Sequence, residues 1–330
     1  MKLLITGGNG FIGSNLIIKI LEKHKKYKIL NLDCNTYASN VKSLNFLNKY
    51  KNYNYSKVNI CNINTLEKKF NNFKPDVILN LAAETHVDNS IKNPKIFINT
   101  NILGTYNLLE LSRKYFKTKK NKFLFIQIST DEVYGDLGSK KTSFKENSLI
   151  NPSSPYSASK ASGDHLVSSY FRTYKLPTII TRCTNNYGPY QSLEKLIPKV
   201  IYNALNNKII PVYNKGKEVR DWIHVEDHAD AILKVIKNGK IGNVYNIGSQ
   251  NQMTNIKLIN KILYLIGKKK SNYKDLLKLI KFVKDRPGHD YKYSINNSKT
   301  KKQLKWMPKI KFDYGIKKTI EWYMSKKKNF

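Results

Sequence analysis

Residues 129–135, Ser-Thr-Asp-Glu-Val-Tyr-Gly, place a hydroxyl and two adjacent carboxyls side by side at Thr130, Asp131 and Glu132. They follow the apolar run 123–128, which is typical of a buried strand, so these polar side chains come at a strand's carboxyl end. Ligands bind at that end of open α/β sheets. Two neighbouring carboxyls can act as proton donor and proton acceptor if their surroundings separate their pKa values. A strand that ends in a turn capped by Thr130 or Asp131 explains the same pattern without chemistry.

Tyr156 and Lys160 are four residues apart in a predicted helix that reaches about Tyr174, so they share one helix face. An ammonium near a phenol stabilises the phenolate. We therefore expect Lys160 to lower the pKa of Tyr156 from its usual value of about 10, which would let the phenolate accept a hydroxyl proton. In a chain with 22 tyrosines and 59 lysines and arginines, chance also produces this spacing as an exposed pair.

The chain opens with a predicted strand, turn and helix, and the turn carries glycines at GxxGxxG spacing: Gly7, Gly10 and Gly13. Glycine permits a tight turn and close backbone approach, and the free N–H groups of the helix can bind a pyrophosphate. The second predicted strand ends at Asp33, where a carboxylate would accept both ribose hydroxyls of a dinucleotide and repel a 2′-phosphate. This pattern favours NAD over NADP, although Asp33 is also suited to capping a loop.

Predicted strands and helices alternate along the first half of the chain. Strands are expected at 2–6, 28–32, 55–60, 77–81, 123–128 and 178–182, and helices at 14–23, 65–73, 96–115 and 156–174. This alternation predicts an α/β fold of Rossmann type with a doubly wound parallel sheet. A strand at 244–247 is expected to return to the sheet. The predicted domains are therefore a Rossmann domain at 1–184 with 223–249, and a smaller, sequence-interleaved C-terminal substrate lobe at 185–222 with 250–330.

The composition bounds the class of protein. The chain has 330 residues, 40% of them hydrophobic, and a net charge of +36. Its basic residues are scattered rather than concentrated in a patch, which argues against a nucleic-acid partner. No apolar run approaches the ~20 residues that a membrane span needs, and we expect a cytoplasmic protein without a membrane partner. The three cysteines are far apart, and His224 and His228 lack a third ligand, so no metal is expected and those histidines have a cap or core role.

Taken together, these motifs resemble the short-chain dehydrogenase/reductase superfamily, and in particular its extended branch. More narrowly, the chain is similar to nucleotide-sugar 4,6-dehydratases of the dTDP-glucose type. The likeness covers nearly the whole length and is carried by residues 6–14, 82–88, 128–137, 156–160, 182–190, 194–198, 219–228, 245–248 and 285–290.

That resemblance implies the conversion of dTDP-glucose or UDP-glucose to the 4-keto-6-deoxy sugar with tightly bound NAD, as in rhamnose-type deoxysugar biosynthesis. Tyr156, aided by Lys160 and Thr130, would accept the C4 hydroxyl proton as C4 is oxidised. Glu132 would then remove the C5 proton while Asp131 protonates the departing C6 hydroxyl, and the hydride returns to C6. The long helices at 96–115 and 156–174 would pair across a two-fold axis to form a homodimer.

The resemblance also assigns contacts residue by residue. Cofactor contacts would come from Gly7, Gly10, Phe11, Ile12, Gly13, Asp33, Asn59, Ile60, Ala82, Ala83, Thr100, Tyr156, Lys160 and Asn186. Substrate contacts would come from Thr85, Thr130, Asn185, Lys195, Leu196, Tyr213, Arg220, Asn255, Arg286 and His289. Arg220 and Arg286 are candidates to bind the diphosphate, unless they are surface arginines. Two positions depart from the family pattern. Asn59 stands where Asp is usual, and residues 192–193, Ser-Leu, replace an aromatic residue and proline.

Two other functions fit part of the pattern. A nucleotide-sugar 4-epimerase would use the same Tyr156, Lys160 and NAD, but it needs no acid/base pair at C5 and C6, so the adjacent Asp131 and Glu132 argue against it. A non-catalytic NAD-binding or nucleic-acid-binding protein is disfavoured by the intact set of catalytic residue types and by the scattered basic charge.

Overall fold

The structure, a computed structural model, describes residues 1–118, 122–270 and 272–326. The described residues form these strands: β1 Lys2–Thr6, β2 Lys28–Asp33, β3 Tyr53–Lys57, β4 Val77–Asn80, β5 Leu124–Thr130, β6 Thr178–Cys183, β7 Asn185–Tyr187, β8 Ile210–Tyr213, β9 Val219–His224, β10 Val244–Ile247, β11 Gln252–Thr254 and β12 Ile280–Val283. The last four residues of the predicted substrate lobe, 327–330, lie outside the described residues.

The α-helices over the same part of the chain are α1 Phe11–Lys23, α2 Ile63–Phe73, α3 Val87–Lys92, α4 Pro94–Phe97, α5 Gly104–Thr118, α6 Pro155–Tyr174, α7 Leu196–Leu205, α8 Val225–Asn238, α9 Asn255–Lys270, α10 Tyr273–Leu277, α11 Ser298–Leu304 and α12 Phe312–Ser325. Among the described residues, no helix has the length and apolar character that crossing a bilayer requires.

A parallel sheet of seven strands, in the order β10-β6-β5-β4-β1-β2-β3, forms the centre of the first part of the chain. Strands β1, β2, β4 and β5 are almost entirely buried, as the parallel sheet of a doubly wound fold requires, whereas the edge strand β3 is partly exposed. The order reverses between β1 and β4, which is the topological switch point of a doubly wound sheet. The predicted Rossmann-type α/β fold is confirmed, and β10 returns to pair in parallel with β6 as expected.

Two predicted elements differ from the structure. The third strand ends at Lys57, because Val58 and Ile60 leave the ladder and bury their side chains in the apolar core instead. The expected helix at 96–115 is interrupted by a π-helical segment, Ile98–Leu103. Within it, Asn101 exchanges two hydrogen bonds of 2.9 and 3.0 Å with the backbone of Glu84. Because this contact joins parts of the fold distant in sequence, helical periodicity could not reveal it.

The C-terminal part of the chain builds a second apolar core from residues between Tyr187 and Tyr323. Two small sheets accompany it. One has the order β11-β9-β7, and the other pairs β8 with β12 in parallel.

A buried ion pair ties α6, the helix that carries Tyr156 and Lys160, to the sheet. Arg182 Nε on β6 lies 2.9 Å from Asp164 Oδ2 on α6, and both side chains are almost fully buried. The guanidinium also lies 4.8 Å from the centre of the Tyr134 ring. Because the pair is buried, removing one partner leaves a charge without compensation.

We expect Asp164→Asn to lower the free energy of unfolding by about 3–5 kcal/mol, since the Arg182 charge loses its buried counterion. Urea denaturation followed by circular dichroism measures this. The control is Lys318→Ala, which removes an exposed partner of Glu321 at 3.3 Å and should shift the midpoint little. Equal midpoints for both variants would contradict a stabilising role for the buried pair.

Candidate active site

A cavity of about 500 Å³ lies at the carboxyl ends of the main-sheet strands. Asp33 at the end of β2, Leu81 after β4, Thr130 at the end of β5 and Cys183 at the end of β6 all line it. Its other wall comes from the segment 191–196, which leads into α7. The cavity is thus where an open α/β sheet binds its ligands.

The glycine turn shapes one end of this cavity. Gly7 has a φ of +70°, and a Cβ there would lie 2.6 Å from the backbone nitrogen of Ala82. A Cβ on Gly13 would lie 2.4 Å from the Gly7 carbonyl oxygen. Both positions therefore require glycine. A Cβ on Gly10 would meet only that same carbonyl, at 3.3 Å, so space remains above the first turn of α1, which carries no acidic side chain. This cradle fits the pyrophosphate of a dinucleotide.

Asp33 lies at the same end of the cavity. Its carboxylate accepts hydrogen bonds from Asn9 N at 2.9 Å, Asn35 N at 2.8 Å and Ser39 Oγ at 3.2 Å. Asp33 therefore caps its loop, as the alternative interpretation held. A carboxylate has about four acceptor positions, so about one is left for a ribose hydroxyl. The two ribose hydroxyls that are predicted to bind Asp33 would have to share this one acceptor position.

The structure brings all the predicted cofactor residues to this cavity: Gly7, Gly10, Phe11, Ile12, Gly13, Asp33, Asn59, Ile60, Ala82, Ala83, Thr100, Tyr156, Lys160 and Asn186. Thr100 reaches it from the π-helical segment. The amide oxygen of Asn59 already accepts the backbone N–H of Cys61 at 2.9 Å, so its NH₂ group is the donor left to meet an adenine.

The stretch that follows β5 is a 3₁₀ turn, Asp131–Tyr134. The Thr130 hydroxyl accepts the backbone N–H of Glu132 at 3.3 Å, so it caps this turn. The same hydroxyl donates to Asp131 Oδ1 at 3.4 Å. Thr130 can therefore cap the turn while Asp131 and Glu132 act as acid and base, since the cap holds both carboxyls at the cavity wall.

Burial and neighbouring charges separate the two carboxyls. Burial raises the pKa of Asp131 well above its usual value, and the charges of Glu132 and Asp221 add to the effect. Burial also raises the pKa of Glu132, but the positive charges of Arg220, Arg286 and Lys195 oppose that rise. Asp131 is therefore suited to donate a proton and Glu132 to accept one.

Tyr156 and Lys160 both lie buried at the cavity. Burial and the nearby Glu132 carboxyl raise the pKa of Tyr156 well above its usual value. The predicted net lowering of the Tyr156 pKa is wrong for this arrangement, because burial of the phenol outweighs the effect of Lys160, whose Nζ donates to the carbonyl of Ile128 at 2.8 Å and whose own pKa is lowered by burial. The Thr130 hydroxyl can also hydrogen bond to Tyr156, and when its one proton turns from Asp131 to the phenol oxygen it favours the phenolate.

The predicted substrate residues fall into two groups. Those at the cavity are Thr85, Thr130, Asn185, Lys195 and Leu196. Lys195 Nζ donates to the Thr85 carbonyl at 2.8 Å. The second group does not line the cavity and lies in the C-terminal part of the chain: Tyr213, Arg220, Asn255, Arg286 and His289.

Arg220 is not a surface arginine. Its guanidinium is buried over the ring of Tyr293, at 4.3 Å, and donates to the carbonyls of Val219, Asp290 and Tyr291 at 2.8 to 3.1 Å. About two of its five N–H groups are left for a diphosphate. The side chain is held in place before any ligand arrives.

Arg286 lies nearby and forms an ion pair of 3.0 Å with Asp88, a residue that the sequence did not single out as functional. Asp88 also accepts the hydroxyl of Tyr213 at 3.2 Å, and the pKa of Asp88 is lowered by Arg286 although burial opposes this. Asp88 is the last residue of the segment 82–88, which carried part of the family resemblance. That position in the segment was the one indication in the sequence that Asp88 is a functional residue.

The two histidines that are one helical turn apart have structural roles. His224 caps α8, and its Nδ1 accepts the backbone N–H of Glu226 at 3.3 Å. His228 is fully buried, its Nδ1 lies 2.9 Å from Asn186 Oδ1, and burial lowers its pKa to about 3. The predicted cap and core roles are therefore both present.

Comparison with known proteins decides the family. Residues 4–319 match the family model described as GDP-mannose 4,6 dehydratase. The chain is 47% identical to the dTDP-glucose 4,6-dehydratase of Salmonella typhimurium, over 98% of this chain and 93% of that protein. The chain belongs to the nucleotide-sugar 4,6-dehydratase family. The predicted family and the enzyme class, a hydro-lyase, are confirmed.

Solved structures agree with this. The dehydratase resembles DesIV, a dTDP-glucose 4,6-dehydratase from Streptomyces venezuelae crystallised with NAD and TYD bound, with a TM-score of 0.92, 36% identity and coverage of 100% of this chain and 99% of that one. The UDP-glucose 4-epimerase of Thermotoga maritima is less similar, with a TM-score of 0.86, 28% identity and coverage of 98% and 99%. The epimerase alternative is therefore the weaker one.

Proposed function

We propose that this dehydratase converts dTDP-glucose to dTDP-4-keto-6-deoxyglucose. The observation that carries the proposal is the adjacent pair Asp131 and Glu132, whose pKa values are separated at a cavity that also holds Tyr156. The curated relative that is 47% identical supports dTDP-glucose as the substrate.

NAD is the proposed cofactor, as the glycine cradle at Gly10 and the carboxylate of Asp33 support. When bound, NAD supplies reversible two-electron oxidation. The chain's own task at this end of the cavity is to hold the pyrophosphate at the N-terminus of α1 and to exclude water from the reacting carbons.

Tyr156 accepts the proton of the C4 hydroxyl in the first step. Ionising a buried phenol is costly, and two groups reduce the cost: the Thr130 hydroxyl hydrogen bonds to the phenol oxygen, and Lys160 holds a positive charge on the same helix face. Oxidation at C4 makes the neighbouring C5 proton acidic, because the resulting carbanion is conjugated with the new carbonyl.

Elimination then uses the two carboxyls. Glu132 takes the C5 proton while Asp131 gives its proton to the C6 hydroxyl, the C6–O bond breaks, and water leaves. Glu132 later returns its proton to C5 as C6 takes up the hydride that was removed from C4. Tyr156 then holds one proton too many and Asp131 one too few. The Thr130 hydroxyl bonds to both, so it is placed to return the proton from Tyr156 to Asp131 and reset the site.

The pH dependence of kcat should show that Glu132 acts as the base and Asp131 as the acid. Glu132 acts ionised, so kcat falls as pH falls through its raised pKa. Asp131 acts protonated, so kcat falls as pH rises through its own raised pKa. We expect Asp131→Asn to lower the maximal rate about 10²-fold or more and to remove the alkaline limb. A variant that keeps the limb would assign it to another group, such as Lys160.

Incubation with dTDP-glucose and UDP-glucose side by side, followed by mass spectrometry, tests the proposed function. The expected result is a product lighter by one water from dTDP-glucose, with UDP-glucose turned over more slowly. The absence of a dehydrated product from both sugars would overturn the proposal. A 4-epimer, which has the mass of the substrate and is identified by proton NMR of the product, would establish the epimerase alternative instead.

We further propose a homodimer built on α5 and α6. On the π-helical segment and the first turn of α5, Ile98, Leu103 and Tyr106 are 52%, 44% and 43% exposed, a concentration of exposed apolar side chains that marks an interaction surface. Light scattering should give twice the mass of the chain at micromolar concentration. Tyr106→Glu, which places a charge on this face, should give monomers, while Tyr314→Glu on another surface should not. A monomeric wild type would refute the dimer.

The remaining predictions are also proposals. The division into a Rossmann domain at 1–184 with 223–249 and a substrate lobe at 185–222 with 250–330 is supported by the separate apolar core after Tyr187. A cytoplasmic location is supported by three free cysteines. Rhamnose-type biosynthesis is a proposed use of the 4-keto-6-deoxy product.

A further inference from the structure

Glu218 precedes β9 and is 1% exposed, which is unusual for a carboxyl group. One of its oxygens, Oε2, accepts the side-chain N–H of Asn255 at 3.2 Å. The other, Oε1, is buried and has no hydrogen-bond partner among residues 1–118, 122–270 and 272–326. A buried carboxylate oxygen without a donor is costly, so a donor from a ligand is the expected complement.

The unpartnered oxygen points into a cluster that already contains predicted substrate residues. It lies 3.9 Å from His289 Nδ1. Within the described part of the chain, the side-chain oxygen of Asn255 is also buried without a partner. Two unpartnered acceptors therefore stand together where the resemblance placed substrate contacts.

Glu218 is also positioned with respect to the diphosphate. Glu218 Oε1 lies 3.9 Å from His289 Nδ1, and the charges of Glu218 and Arg220 both act on His289, so Glu218 and Arg220 belong to one cluster. Arg220 and Arg286 in turn influence both Glu132 and His289. A substrate with its hexose at Glu132 and its diphosphate at these arginines would bring the next unit, the furanose of the nucleoside, to Glu218.

The chemistry of the cluster selects the ligand group. A pyrimidine imide presents one N–H donor between two carbonyl acceptors, which two neighbouring acceptors would repel. A furanose hydroxyl is a donor that rotates to suit its partner. A divalent cation is disfavoured, because His289 Nδ1 lies 2.6 Å from the Asp285 carboxylate and must carry a proton to do so. That nitrogen is then not a metal ligand.

We propose that Glu218 is a specificity residue that accepts a hydrogen bond from a furanose hydroxyl of the nucleotide, in partnership with Asn255. The inference rests on the proposed function, because dTDP carries a single free furanose hydroxyl, at the 3′ position, and that is the group assigned to Glu218. In a ribonucleotide, the 2′-hydroxyl is a second candidate for the same oxygen.

The proposal is tested by measuring nucleotide binding to the NAD-loaded enzyme by calorimetry, with the protein and the ligand changed separately and together. The ligands are dTDP and 2′,3′-dideoxythymidine diphosphate, with UDP and 2′-deoxyuridine diphosphate as the second pair. The proteins are wild type, Glu218→Gln, Glu218→Ala and the control Glu226→Ala, an acid in the first turn of α8. Removing the 3′-hydroxyl should weaken binding to wild type and to the control about 10- to 100-fold, the usual effect of a hydrogen bond to a charged group.

In Glu218→Ala, removing the 3′-hydroxyl should reduce the affinity little further. In Glu218→Gln, the loss of affinity should lie between those of wild type and Glu218→Ala. An equal loss in wild type and Glu218→Ala, or no loss in wild type for either ligand pair, would overturn the proposal. Binding that disappears with a chelator would also overturn it, in favour of a cation site. Because the assay measures binding, it is independent of turnover. If the hydroxyl matters only when Glu218 is present but no sugar is dehydrated, the proposed function alone is refuted. If the sugar is dehydrated but the effect of the hydroxyl does not depend on Glu218, the role of Glu218 alone is refuted.

Discussion

Glu132→Gln should form the 4-keto-6-deoxy product about 10³-fold more slowly than wild type, because the amide cannot accept the C5 proton and positioned bases contribute about 10²–10⁴-fold. The change is nearly isosteric, and the turn is held by Thr130, so the fold should persist. Oxidation at C4 does not use Glu132. The variant should therefore oxidise the sugar without eliminating water, and the C5 proton should not exchange with solvent deuterium.

Mass spectrometry of the sugar after incubation in D₂O measures both effects at once. Glu146→Gln is the matched control. Glu146 accepts the backbone N–H of Asn246 at 3.1 Å and does not line the cavity, so this variant should keep wild-type exchange and product formation. Deuterium that still appears at C5 in Glu132→Gln would identify another residue as the base.

Tyr156→Phe is expected to have the larger effect, about 10⁴-fold on kcat, at the upper end for a proton-transfer group. Its phenol acts before elimination, so neither C5 exchange nor product should form. Thr130 would also lose its partner in the proposed return of the proton to Asp131. Steady-state kinetics with dTDP-glucose, together with the D₂O experiment, separates this variant from Glu132→Gln.

Tyr134→Phe is the control for the loss of a buried tyrosine hydroxyl in the same region. The Tyr134 hydroxyl donates to Asn246 at 2.8 Å and lies outside the cavity, so its removal should affect stability more than kcat. If Tyr156→Phe retained more than about a tenth of the wild-type rate, its role as the proton acceptor would be refuted.

Local pattern was enough for much of the fold. The alternation of strands and helices predicted a doubly wound sheet, and all predicted main-sheet strands exist. The third strand was displaced, because Val58 and Ile60 satisfy an apolar pattern by packing in the core after the chain has left the sheet. The π-helical segment escaped prediction because the contact that holds it, between the Asn101 side chain and the backbone of Glu84, joins residues 17 positions apart and leaves no trace in helical periodicity.

The site divides in the same way. The glycine turn and Asp33 were found from motifs at strand ends, Tyr156 and Lys160 from their helical spacing, and most of the other cofactor residues from the family resemblance, and all of them meet at one cavity. Asp88 and Glu218 were not singled out, since an acid near a strand or helix end has no distinctive spacing. Their partners, Arg286 for Asp88 and Asn255 for Glu218, are 198 and 37 residues away along the chain.

The sequence by itself determined the glycine turn, the order of the sheet elements and the residue types at Thr130, Asp131, Glu132, Tyr156 and Lys160, because these follow from local conformation and short spacing. Only the tertiary structure decided which carboxyl holds its proton. The pKa of Asp131 depends on burial and on Asp221, 90 positions later, and that of Glu132 on Arg220 and Arg286. Electrostatic energy depends on distance in space and on exclusion of water, and neither can be read from the order of residues.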